Sequence, residues 1–408
     1  RIIAIDTEAA RAVPGVHLVV TGADLNAAGV TYGMGYSVLK NRDGSQAAAP
    51  KRPILTTDKI RFVGEALAFV VADTLHAAQE AAELVDIDYD ELPAHMDQAP
   101  LRTPGTAPIH AEAPDNRVFD WAIGDAAATD AAFAKAARVV TLDVDDNRVI
   151  INAMEPRGAF AEWDGARLHV AFGGQGVWGL KGELKACFGL DDDAVRVTNP
   201  DVGGGFGMKA MNYPEYFMVA HAARALGRAV RWMSERTEAM LSDNGGRDLS
   251  HTAALAFDDT GKITAYKIDT LCNIGAYNSN FAQYIQTELF AKVLMGPYDV
   301  QTIYCRCQGF FTNTTQIDAY RGAGRPEAIY LLERLIDRAA RDMEMDPLDL
   351  RRHNFIAPTQ FPYLTATGET YDVGDFVRVM DRAANFADVA GFATRRATAA
   401  TKGKLRGL

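Results

Sequence analysis

Three glycine-dense segments in the middle of the chain constrain its fold more than any other feature. They are Gly173-Gly174-Gln175-Gly176, Gly203-Gly204-Gly205-Phe206-Gly207 and Arg321-Gly322-Ala323-Gly324-Arg325, here called the first, second and third glycine turns. Glycine is costly to order, so a folded domain keeps runs of it where the backbone must come close to something. Bare backbone N–H groups in such turns commonly hold a phosphate or another anion. We therefore expect the three turns to hold one large anionic ligand from several sides.

The size and charge of the chain limit its partners. Its 408 residues suffice for two or three domains. The net charge of −11 argues against nucleic acid or an anionic membrane surface as the main partner. An anionic ligand must then be held by local dipoles and a few placed arginines.

The cysteines and the hydropathy predict a cytoplasmic protein without a membrane span. Cys187, Cys272, Cys305 and Cys307 form no CxxC pair and no zinc spacing, so we interpret them as reduced structural thiols. No apolar run approaches the roughly 18 residues that a membrane helix needs.

Hydrophobic periodicity predicts an α+β fold with several sheets rather than one doubly wound sheet. Residues 1–98 form a small α/β domain, 99–125 hold four prolines and form a surface linker, 126–358 form a mixed domain, and 359–408 begin another. Strands are predicted at 16–21, 65–72, 84–89, 139–144, 158–163, 167–172, 194–198, 251–257 and 263–274, and helices at 76–84, 126–137, 177–188, 214–226 and 326–342.

The first glycine turn also allows a different function. Gly174-Gln175-Gly176-Val177-Trp178-Gly179 matches G-x-G-x-x-G between a predicted strand and helix, and Asp201 lies where a ribose-binding acid would be. A dehydrogenase that binds a nicotinamide dinucleotide is therefore one alternative. The bulk of Gln175 and Trp178, and the lack of regular βα alternation afterwards, count against it.

The other two turns also have purely structural interpretations. In the second turn, Phe206 either anchors a ligand-binding loop or is buried as a plug at a strand exit. In the third turn, Arg321 and Arg325 either favour an anion at a helix N-terminus or pair with acids such as Asp318 and Glu327.

The residues around the three turns make a longer and more specific pattern. In order and spacing it resembles the molybdenum-binding subunit of the xanthine dehydrogenase / aldehyde oxidase / carbon monoxide dehydrogenase family, over essentially the whole chain. The matching segments are Gly174-Gln175-Gly176, Asp201–Lys209 and Ala319–Glu327, supported by Arg61–Glu65, Ile87–Asp90 and Met154–Arg157.

The resemblance implies a cofactor, a site and partners. The cofactor is molybdopterin with molybdenum, in its cytosine dinucleotide form, and the first 98 residues correspond to the family's α/β hammerhead domain. Gln175 corresponds to the catalytic glutamine that hydrogen-bonds a molybdenum oxo group. Gly174, Gly205, Phe206, Gly207 and Arg321 correspond to cofactor-binding positions, with Phe206 and Arg321 near the molybdenum but not side-chain ligands. The implied reaction is hydroxylation with water-derived oxygen, with electrons leaving through [2Fe-2S] clusters to FAD on partner subunits.

Departures from the family pattern restrict the substrate. Ala210 stands where xanthine enzymes have a glutamate, and Ala323 where they have a ring-clamping phenylalanine, so purine is disfavoured. Gly322 stands where carbon monoxide enzymes have a cysteine, which disfavours a copper–molybdenum site. An aldehyde or an N-heteroaromatic compound remains.

The family's general-base glutamate and most of a second molybdopterin domain have no counterpart here. We therefore expect a piece of a larger subunit, or a subunit that a second molybdopterin-binding chain completes. A non-catalytic interaction subunit that keeps the fold is a further alternative.

Overall fold

The computed structural model describes residues 1–99, 103 and 105–408. Its first part, residues 1–93, contains two antiparallel strand pairs, β1 with β4 and β2 with β3. Thr21 and Asp24 form a capping box at α2, and Thr74 caps α3 by accepting from the Ala77 N–H. The elements are β1 (Ile2–Asp6), α1 (Glu8–Arg11), β2 (Val16–Thr21), α2 (Gly22–Ala27), β3 (Ala68–Ala72), α3 (Leu75–Glu83) and β4 (Asp86–Tyr89).

A five-stranded mixed sheet forms the larger core. Its strand order is β5-β13-β12-β11-β6, and only the β12–β13 pair is parallel. The long helix α9 packs on β6 and β11 and buries Leu331, Leu335 and Ile336. The elements are β5 (Arg117–Gly124), α4 (Ala126–Lys135), β6 (Arg138–Asp146), β11 (Leu249–Phe257), β12 (Ile263–Gly275), β13 (Ile303–Phe311) and α9 (Arg325–Asp342).

A four-stranded sheet carries the first two glycine turns. Its order is β10-β7-β8-β9, with β8 and β9 parallel and joined through α5. Helix α6 packs on β7, β8 and β10 and buries Phe217, Val219 and Ala220 fully. The elements are β7 (Gly158–Trp163), β8 (Leu168–Phe172), α5 (Trp178–Phe188), β9 (Val195–Thr198), α6 (Pro214–Leu226), β10 (Val230–Met233) and α7 (Arg236–Ser242).

The remaining helices and strands lie mainly in the last part of the chain. Helices α11 and α12 contain no fully buried residue. The elements are α8 (Ala282–Tyr284), α10 (Pro347–Asn354), β14 (Tyr363–Leu364), β15 (Thr370–Tyr371), α11 (Phe376–Phe386) and α12 (Phe392–Ala400). Every helix in the described part of the chain is too short or too polar to span a bilayer.

The α+β fold with several sheets is confirmed, and two local predictions are wrong. Residues 117–124 of the predicted 99–125 linker form β5, which pairs with β13 and buries Val118 and Phe119. The prolines earlier in the segment obscured this alternating strand; residues 100–102 and 104 of the linker lie outside the described residues. The predicted strand 65–72 starts only at Ala68, because Glu65 turns inward to accept hydrogen bonds from Arg61 N and the Tyr277 hydroxyl.

Candidate functional site

The first and second glycine turns touch through Gln175. Its side-chain Oε1 accepts a hydrogen bond from Gly207 N at 2.7 Å, and the backbone N–H of Gln175 donates to Lys209 O at 3.1 Å. A Cβ on Gly205 would lie only 2.5 Å from the same Oε1, so a larger residue there would displace the Gln175 side chain from this position. In the described residues Nε2 of Gln175 has no protein acceptor, which leaves this donor available on an exposed side chain.

The second and third turns are joined by one backbone hydrogen bond, from Arg321 N to Phe206 O at 2.9 Å. Gly207 has φ +101°, and a Cβ there would lie 2.4 Å from Ala319 O. This approach of two backbones needs a residue without a side chain. The three turns, residues 173–176, 203–207 and 321–325, therefore form one surface, here called the glycine cradle.

The cradle presents backbone donors outward. Among the residues that the structure describes, no protein acceptor bonds the N–H groups of Gly204, Gly205, Phe206 and Gly322, and these four residues are exposed or partly exposed. Gly204 and Phe206 have φ +100° and +53°, the left-handed conformation found in anion-binding turns. The Phe206 ring is 44% exposed, so the interpretation as a buried plug is wrong.

A buried lysine supports the second turn from behind. Lys209 has a fully buried side chain, and its Nζ lies 2.7 Å from Glu155 Oε2. The same oxygen accepts from Gly203 N at 2.8 Å. The hydrogen bond from Lys209 and the Gly203 N–H outweigh the opposing effect of burial and hold the pKa of Glu155 below its usual range. The sequence analysis had not assigned this role to Glu155 or Lys209.

The third turn is held by an arginine that the sequence analysis missed. Arg247 donates to Tyr320 O at 2.7 Å and to Arg321 O at 3.1 Å, and it pairs with Glu327 at 3.0 Å. Its guanidinium also stacks on the Tyr320 ring at 4.8 Å. Arg247 follows Gly245-Gly246, a further glycine pair that was the available signal.

The alternative interpretation of the third turn, in which Arg321 and Arg325 pair with Asp318 and Glu327, is wrong. Glu327 pairs with Arg247, and Asp318 accepts from the backbone N–H groups of Phe281 and Ala319. Arg325 instead donates to the carbonyls of its own turn. The exposed Arg321 side chain has no partner among the described residues.

A second buried arginine fixes the elements beneath the cradle. Arg157 is fully buried and pairs with Asp243 at 2.5 Å and Glu215 at 2.8 Å. It stacks on the Tyr213 ring at 3.8 Å, and the Tyr213 hydroxyl donates to Met208 O at 3.1 Å. This network ties the start of α6 and the end of α7 to the segment directly after the second turn.

The chemistry of the cradle fits a large, oxygen-rich anionic cofactor. It supplies outward N–H groups, one amide donor on Gln175 and the exposed guanidinium of Arg321. Within the described residues, no three His, Cys, Asp or Glu side chains converge as metal ligands.

Comparison with known proteins identifies the family. Residues 109–355 match the molybdopterin cofactor-binding domain, and residues 1–93 match the aldehyde oxidase and xanthine dehydrogenase a/b hammerhead domain. The chain belongs to the xanthine dehydrogenase / aldehyde oxidase / carbon monoxide dehydrogenase family. The predicted resemblance is thereby confirmed, and β5 lies inside the matched cofactor-binding domain.

Relatives in this family match the chain over almost its full length. The carbon monoxide dehydrogenase large chain of Afipia carboxidovorans is 32% identical over 400 residues, covering 94% of this chain and 48% of the relative. The nicotine 6-hydroxylase large subunit of Paenarthrobacter nicotinovorans is 32% identical over 416 residues, covering 100% of this chain and 49% of that relative. The crystal structure of quinoline 2-oxidoreductase from Pseudomonas putida 86 has a TM-score of 0.91 at 31% identity, covering 99% of this chain and 51% of that chain. The chain spans about half the length of these family members.

Proposed function

We propose that the chain forms one half of the active centre of a molybdenum hydroxylase. The glycine cradle would hold a molybdopterin cofactor, in its cytosine dinucleotide form, through backbone N–H groups of the second and third turns. The single observation that carries this proposal is the convergence of Gln175, Phe206, Gly207 and Arg321 through two hydrogen bonds. When bound, the molybdenum supplies two-electron oxidation chemistry.

Within this proposal Gln175 has two tasks. Oε1 fixes the Gly207 N–H, which sets the shape of the second turn, and Nε2 points a donor at the cofactor. Phe206 and Arg321 line the same place with main-chain groups. Gly174 lets the first turn lie against the Phe172 ring, and Gly205 lets the second turn approach the Gln175 side chain. A Cβ on Gly174 would lie 1.9 Å from the Phe172 ring, so this position also requires glycine.

The reaction we propose is hydroxylation of an aldehyde or an N-heteroaromatic C–H with oxygen from water. The small residues Ala210, Gly322 and Ala323 support this substrate class, because they offer neither a purine-binding carboxylate nor a thiolate. The general base would come from residues outside this chain's sequence or from a second molybdopterin-binding chain. Electrons would pass to an iron-sulfur subunit and an FAD subunit. The four free cysteines support a cytoplasmic location.

Metal and pterin analysis tests the proposal directly. The chain, purified together with the subunits that accompany it, should contain molybdenum and release a cytosine dinucleotide pterin in equal amounts. A complex that carries neither molybdenum nor pterin would overturn the proposed function.

A dehydrogenase that binds a nicotinamide dinucleotide is the second candidate, because β8, α5 and β9 do form a parallel βαβ unit around Gly174–Gly179. Titration with NADH separates the two functions. Saturable binding by this chain alone would favour the dehydrogenase.

A further inference from the structure

One buried arginine faces a cavity and has no partner of its own. Arg52 is 5% exposed and lines a cavity of about 20 Å³ between the segment before β3 and the start of α6. Across residues 1–99, 103 and 105–408, no group accepts a hydrogen bond from its guanidinium or forms an ion pair with it. An arginine stays charged in a protein, so this charge must be compensated by its surroundings.

Two carboxylates line the same cavity without reaching Arg52. Glu65 accepts from the Tyr277 hydroxyl at 2.7 Å and from Arg61 N at 2.5 Å. Glu215 holds Arg157 through Oε2 at 2.8 Å, but its Oε1 receives only a long contact of 3.4 Å. Glu215 Oε1 therefore keeps capacity for another donor.

The linking group must accept from a guanidinium and donate to a carboxylate. Water does both, whereas a halide ion only accepts and would be repelled by Glu65 and Glu215. A cavity holds a water when it offers roughly 10–15 Å³ or more, and the volume here is about 20 Å³.

We propose that this cavity is a binding site for one water molecule that joins Arg52 to Glu215. The water accepts from the guanidinium and donates to Oε1, so the two charges form a water-mediated ion pair. Such bridges are nearly as favourable as direct hydrogen bonds. The pair connects the hammerhead domain to α6 at a point where Tyr213 also lines the cavity and holds the Met208 carbonyl. Arg52 thereby fastens the first domain to the segment that carries the second glycine turn.

A high-resolution crystal structure of the chain, grown with and without sodium bromide, tests the site. We expect one density peak within about 2.7–3.2 Å of Arg52 and Glu215, without a bromide anomalous signal. A bromide peak would replace the proposal with an anion site, and a cavity without density would overturn it.

The direction in which Tm changes when Arg52 is replaced gives an independent test. Arg52→Met should lower Tm by about 3 °C or more, because Glu65 and Glu215 lose a balancing charge. Arg228→Met is the matched control, since the Arg228 side chain is 61% exposed, and it should shift Tm by less than about 1 °C. A Tm that stays constant or rises in Arg52→Met would contradict the water-mediated pair. If this variant does not fold, the crystallographic test still decides.

Discussion

The glycine cradle and the five-stranded sheet are held together by opposite means. In the sheet, large apolar side chains such as Leu335 and Phe257 fill the space between α9 and the strands and are fully buried. In the cradle, the second and third turns approach each other through their backbones, and a side chain is excluded at Gly207. The contrast teaches that the sheet depends on the size of its residues, whereas the cradle depends on the absence of side chains. Substitutions in the sheet should change stability, and substitutions in the cradle should change cofactor binding.

The largest effect should come from the sheet. Leu335→Ala removes a fully buried side chain of α9 and should lower the free energy of unfolding by about 2–5 kcal/mol. Urea unfolding measures this loss. Ile329→Ala on the same helix is the control, because Ile329 is 51% exposed and should cost far less. At temperatures where Leu335→Ala stays folded, its molybdenum content should equal that of the parent, and a parallel loss of metal would erase the contrast between the two regions.

The next effect should come from the cradle. Gly207→Ala puts a Cβ 2.4 Å from Ala319 O at φ +101°, so the second and third turns must separate. We expect molybdenum and pterin occupancy to fall at least about tenfold. The unfolding midpoint should change less than in Leu335→Ala.

Gly165→Ala is the matched control for Gly207→Ala. Gly165 has φ +96°, but a Cβ there has nothing within 4 Å. This variant carries the same backbone strain without the clash. If it loses as much cofactor as Gly207→Ala, the approach of the two turns is not what binds the cofactor.

The same contrast explains what the sequence could predict. Helix 214–226 and strand 158–163 were predicted to the residue, because Pro214 and the left-handed Gly227 mark the helix ends and alternation marks the strand. The cradle turns were also visible as glycine runs. Their supports were not, because Arg247 and the Glu155–Lys209 pair act across long stretches of chain. Local sequence patterns do not predict which distant side chain contacts a turn.

A smaller effect should separate the two tasks of Gln175. Gln175→Glu keeps an oxygen that accepts from Gly207 N but removes the amide donor Nε2. We expect cofactor occupancy near the parental value and turnover lowered by about 10- to 100-fold, since an outer hydrogen bond tunes a metal centre. Gln175→Ala loses both tasks and should also lose cofactor. Parental turnover in Gln175→Glu would show that the donor has no role.

A further effect concerns acid, and it again distinguishes sheet from cradle. Burial lowers the pKa of His251, on β11, from 6.5 to about 3. The unfolded chain binds this proton near pH 6.5 and the folded chain does not, so the free energy of unfolding falls as the pH drops from 6.5 towards 3. The pKa of Glu155 is instead depressed below its ordinary 4.5, so its contribution with Lys209 persists until the pH falls through that lower value. Between pH 6.5 and 4.5 His251 should therefore weaken the sheet while the Glu155–Lys209 pair stays intact. Asp146 on β6, whose pKa burial raises to about 6, acts with the opposite sign below that pH.

His251→Phe tests which group causes this acid weakening. The ring would keep its stacking on Phe290, where the centroids lie 5.6 Å apart, but could not take up a proton. The free energy of unfolding, measured with urea between pH 4 and 7, should change less steeply with pH in this variant, by up to about 1.4 kcal/mol per pH unit. His110, whose pKa burial lowers to about 4, has the same sign and leaves a residual slope. If the pH dependence of the free energy of unfolding is unchanged in His251→Phe, another group causes the acid sensitivity. The sheet and the cradle would then not differ in their response to acid through His251.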